Sequence, residues 1–82
     1  SLSPIDAITH LVDNLMFFKA RVPVNEMEEV RRMIFDLYDI PDLTKEHFVP
    51  VLRKYASLDH TGNYVEDIRG EWACLRIYYF PP

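Results

Sequence analysis

Glycine and cysteine are scarce in this chain: its 82 residues include two glycines and one cysteine. Gly62 and Gly70 cannot build a Gly-rich phosphate loop and leave little material for a mobile lid. No G-x-S-x-G element and no pair of catalytic acids occurs either. The lone Cys74 excludes an internal disulfide and any multi-cysteine zinc site. In so small a chain it points to a reducing, intracellular setting, cytoplasm or nucleus. No apolar run approaches the roughly 20 residues of a membrane span, and none has signal-peptide flanks. An excess of positive charge is missing as well. Nine Lys and Arg stand against thirteen Asp and Glu, for a net charge of −4, which is the wrong overall sign for neutralising phosphates.

What is present is the composition of a packed domain, 49% hydrophobic and 13% aromatic. At this length a chain buries only about 60% of the surface its unfolded form exposes, so the aromatics must carry much of one small core. Residues 1–82 read as a single domain, and a start at Ser1 without methionine and an end at Pro81-Pro82 read as a piece of a longer protein. The acidic excess is uneven: residues 1–43 hold four basic and eight acidic side chains, and residues 44–82 hold five of each.

Local signals divide the chain. Ser3-Pro4-Ile5-Asp6 is a helix start, with Ser3 as N-cap and Pro4 where its missing N–H costs nothing. Ile5, Ile8, Leu11, Val12, Leu15, Met16 and Phe18 then share one arc of a helical wheel, and Phe17 projects among the polar residues. Arg21-Val22-Pro23-Val24 reads as a minimal edge strand. Asn25 to Glu28 repeats the cap logic for a second helix with a stripe of Met27, Val30, Met33, Ile34, Leu37 and Tyr38, ending before Pro41 and leaving Phe35 on the polar side. Thr44 caps a third helix whose face is Phe48, Val51, Leu52, Tyr55 and Leu58, with a first turn distorted or separated by Pro50. Ser57–Asn63 has loop composition. The remainder reads as a hairpin: Tyr64–Ile68, a turn at Arg69-Gly70-Glu71, and a return strand Trp72–Phe80.

The expected fold is therefore α+β, three helices followed by a C-terminal two-stranded β-hairpin. The order of helix, short strand, helix, helix and hairpin is that of a winged-helix domain, an inference from topology alone. On the return strand Trp72, Cys74, Arg76, Tyr78 and Phe80 face one way.

Chemistry is sparse in this pattern. His10, His47 and His60 lack metal-ligand spacing. Asp36, Asp39 and Asp42 read as turn and cap residues around Pro41. Asp59–Gly70 fails as a calcium loop because the required glycine position holds Tyr64 and the bidentate-acid position holds Gly70. Cys74 has no neighbouring base and reads as a packed small residue. No metal, cofactor or catalysis is expected. The leading reading is a non-catalytic protein-interaction or assembly module of a larger intracellular protein, binding through Phe17, Phe35, Trp72, Arg76, Tyr78 and Phe80, because aromatics and Arg make hot spots. Its partner would be another protein, the rest of the parent chain or a second copy, and no membrane contact is expected. The alternative is a winged-helix nucleic-acid surface using Lys45, His47, Arg53 and Lys54 with Arg69 at the hairpin tip.

Overall fold

A computed structural model describes residues 2–58 and 63–82, and among these it is all helical. The helices are α1 (Pro4–Lys19), α2 (Val24–Leu37), α3 (Phe48–Leu58) and α4 (Asn63–Tyr79), with a 3-10 turn at Lys45–His47 ahead of α3. The centre of the expected 57–63 loop, with His60, lies outside the described residues.

α1 starts as its capping signals dictate: the Ser3 hydroxyl accepts from the Asp6 backbone N–H at 3.2 Å, and Pro4 opens the helix. Ile8, Leu11, Val12 and Leu15 form its buried stripe. The segment at Arg21–Val24 is not a strand. The N–H groups of Arg21 and Val22 turn back onto the Phe18 carbonyl at 2.9 and 2.7 Å, and Pro23 caps α2, which Val24 begins. Those amides close the end of α1 and are not free to pair along an edge. Asp42 adopts a left-handed conformation (φ 59°) that Asp tolerates, and Thr44 then caps the 3-10 turn, its N–H donating to His47 Nδ1 at 2.9 Å. Pro50 falls in the first turn of α3, where no intrahelical donor is needed.

The α+β, winged-helix expectation fails at the C-terminus, where α4 replaces both hairpin strands. The aromatic and β-branched run Trp72–Phe80 has strand propensity, but burial in α4 recurs at Ile68, Glu71, Leu75 and, in part, Trp72 and Tyr79, at the three- and four-residue steps of a helix. Tertiary packing overrides local preference because α4 lays that stripe on α1 and α3. Phe48 sits fully buried at the centre, with Trp72 and Phe80 edge-on to it. No helix among the described residues is long and apolar enough to cross a membrane.

α1 packs directly on α2, α3 and α4, and α3 packs on α4. α2 and α4 approach less closely, joined by the Phe35 ring on Tyr78 and Tyr79 and by long polar side chains, and a groove runs between them.

Candidate functional site

Two walls form a groove of about 520 Å³. Val24, Glu28, Arg31, Arg32 and Phe35 line it from α2, and Cys74, Ile77 and Tyr78 line it from α4. Its floor is Phe35, 3% exposed, whose ring lies 4.7 Å from that of Tyr78. Its rims are unusually apolar for surface positions: Val24 is 93% exposed and Ile77 65% exposed.

Polar links tie the walls together. Arg31 Nε and Nη2 donate to the two carboxylate oxygens of Glu71 at 2.8 and 2.7 Å. Glu71 is completely buried, and Lys19 Nζ from α1 lies 3.5 Å from the same carboxylate and 3.3 Å from that of Asp67. The Glu71 carboxylate holds the Arg31 guanidinium protonated, raising its pKa chiefly by the hydrogen bond and against some desolvation. Nearer the C-terminal end of α2, the Tyr79 hydroxyl lies 2.9 Å from the Tyr38 carbonyl and 3.2 Å from that of Phe35, closing orphan acceptors of the α2 terminus. Burial pushes the Tyr79 phenol up. The Tyr78 hydroxyl donates to Asp36, which raises its pKa.

The groove's unspent charges are few. Arg31 is occupied by Glu71, whereas Arg32, exposed on the same wall, has no ion pair with any described residue. Glu28, one turn earlier, is in the same position. The α4 wall carries no charge at all.

The residues anticipated for partner binding do not converge on one patch. Phe35 and Tyr78 meet in the groove, but Phe35 is core, so its expected exposure is corrected. Its burial follows from the orientation of α2: Arg31 turns inward to reach Glu71 and carries Phe35 in with it, one turn along. Met33 and Leu37, expected inside, are exposed instead. Trp72 and Phe80 are half-buried on Phe48, on the other side of α4 from Tyr78. Arg76 is exposed beside Ala73 and Phe80 in a separate shallow depression. Phe17 is 51% exposed near the end of α1, with the Arg21 guanidinium 3.7 Å over its ring.

The basic set fares no better as a single surface. His47 is consumed by the cap at Thr44, Lys54 lies over the Tyr55 ring, and Lys45 and Arg53 are exposed on the 3-10 turn and α3. Arg69 is a helix residue paired with Glu66 at 3.2 Å, not a hairpin tip, so the wing that would have carried it does not exist. Among the described residues no group of three or more His, Cys, Asp or Glu side chains is arranged to hold a metal ion.

Val24, Glu28, Arg31, Arg32, Cys74 and Ile77 were not anticipated as site residues. Only the exposed apolar Val24 and Ile77, off the core stripes of their helices, carry a signal in the sequence, and it appears once both segments are read as helix. Compared with known proteins, the chain matches no family model, no curated protein and no solved structure.

Proposed function

We propose that the chain is a non-catalytic, intracellular protein-interaction module, and that the α2–α4 groove is its binding surface. The observation that carries this reading is the pairing of two strongly exposed aliphatic rims, Val24 and Ile77, across an aromatic floor of Phe35 and Tyr78. Such a concave apolar strip suits the apolar face of an amphipathic helix from another protein. Charge complementarity narrows the occupant further. Arg32 and Glu28 stand one turn apart on one wall, so the fitting segment presents an apolar anchor flanked by one acidic and one basic side chain in the reverse order. The single free cysteine supports a reducing compartment.

Selection from a displayed library of random peptides against the immobilised domain tests this. Recovered sequences should share an apolar anchor with an acidic neighbour, and should lose binding to Ile77→Asp, an exposed-site change that leaves the fold intact. Peptides that bind wild type and Ile77→Asp equally would put the binding surface elsewhere.

A further inference from the structure

We infer that the Arg31–Glu71 pair is a strut that holds α2 and α4 apart and keeps the groove between them open. The inference rests on the groove being the binding surface, and makes the buried pair the element that sets its width.

Helices that meet through apolar side chains settle about 8–10 Å apart, and α1 meets each of its three neighbours by direct packing. α2 and α4 flank the same helix and yet approach less closely than those pairs, touching through the Phe35 ring on Tyr78 and Tyr79 and through polar side chains that bridge the gap. At the head of their shared face stand two of the longest polar side chains in the repertoire, joined end to end at 2.8 and 2.7 Å. This link resists compression. The Glu71 carboxylate is wholly excluded from water and already satisfied by Arg31 and Lys19, so moving the helices together would uncouple a buried charge with no solvent to replace its partner. The other links act in the opposite sense. The Tyr79 hydroxyl on the α2 carbonyls and the Tyr78 hydroxyl on Asp36 keep the walls from separating. Strut and tethers together define a gap of fixed width, with Cys74 on its wall.

Cys74 supplies the measurement, because it is the only cysteine of the chain and is partly accessible from the groove. Its rates of alkylation by a small and by a bulky uncharged maleimide are compared. Their ratio cancels any change in the thiol's intrinsic reactivity, leaving access alone as the readout. The proteins are wild type, the apolar double variant Arg31→Leu with Glu71→Leu, and Glu71→Asp, which keeps the charge but shortens the strut by one methylene. The bulky-to-small ratio should fall several-fold in the double variant and by a smaller factor in Glu71→Asp. An unchanged ratio in either folded variant would overturn the strut, and if the double variant fails to fold, Glu71→Asp decides alone. Binding of a library-selected peptide to the same proteins separates the two claims: a lowered ratio with unchanged binding contradicts the groove as binding surface, and lowered binding with an unchanged ratio contradicts the strut.

Discussion

Arg31 on α2 and Glu71 on α4, 40 residues apart in the chain, meet through two hydrogen bonds of 2.8 and 2.7 Å around a carboxylate that no solvent reaches. A buried pair of this kind is worth little compared with an apolar replacement, but is costly to break from one side. Glu71→Ala leaves Arg31 and Lys19 without their shared partner and should cost about 3–5 kcal/mol. For a domain of this size that is a large share of a total stability of about 5–15 kcal/mol. Replacing both partners by leucine should come close to neutral. Urea denaturation followed by Trp72 fluorescence reads both, and a Glu71→Ala cost below about 1 kcal/mol, the value of a surface pair, would contradict this account.

Phe17 and Phe35 look alike in sequence and differ in place. Phe35→Ala removes a buried ring from contact with Tyr78 and Tyr79 and should cost about 3–5 kcal/mol. Phe17→Ser gives up an exposed contact with Arg21, worth about 0.5–1 kcal/mol. Thermal melts of the two variants should therefore differ by about 8–36 °C, taking about 4–8 °C per kcal/mol for a domain of this length. Equal melting temperatures would mean that α2 is turned differently.

Gly70 lies inside α4, and a Cβ added there would meet only the Lys19 ammonium, at the ordinary van der Waals distance of 3.9 Å. Gly70→Ala should thus stabilise the domain by about 0.5–1 kcal/mol, the helix-propensity difference between the two residues. The same substitution at the tip of a tight hairpin would destabilise, so the sign of the change in melting temperature separates helix from hairpin at this point.

Burial raises the Tyr79 phenol above its unfolded-state value of about 10. The native state therefore favours the protonated form. Its contribution is complete below about pH 10 and is lost as pH rises further towards the folded-state value. Melting temperatures across this alkaline range should fall more steeply for wild type than for Tyr79→Phe. At neutral pH the variant should be less stable by about 1 kcal/mol, for its lost hydrogen bonding to the α2 carbonyls.

How far the fold was legible follows from where its instructions lie. The Ser3-Pro4 start, the Thr44 cap and the turn set apart ahead of Pro50 are written in neighbouring residues and are present, and the α1 stripe is buried from Ile8 to Leu15 while Ile5 and Phe18, expected on it, are exposed. α4 was hidden by one residue. With Glu71 scored as polar, its stripe loses a member at the centre and the aromatic alternation of Trp72–Phe80 dominates. α2 was turned for the same reason, since nothing local says that Arg31 faces inward. Both differences trace to an ion pair whose halves are 40 residues apart, which no periodicity registers. The groove was legible only in part, in Phe35 and Tyr78, because its walls come from helices that meet only in the folded chain.

The central claim is that partners bind between α2 and α4, and amide chemical-shift mapping of the labelled domain during titration with a library-selected peptide tests it most directly. The account predicts shifts concentrated at Val24, Glu28, Arg32, Phe35, Cys74, Ile77 and Tyr78, with α3 and the Phe17–Arg21 corner unchanged. Shifts centred on Phe17 and Arg21, or along α3, with the groove silent, would contradict it.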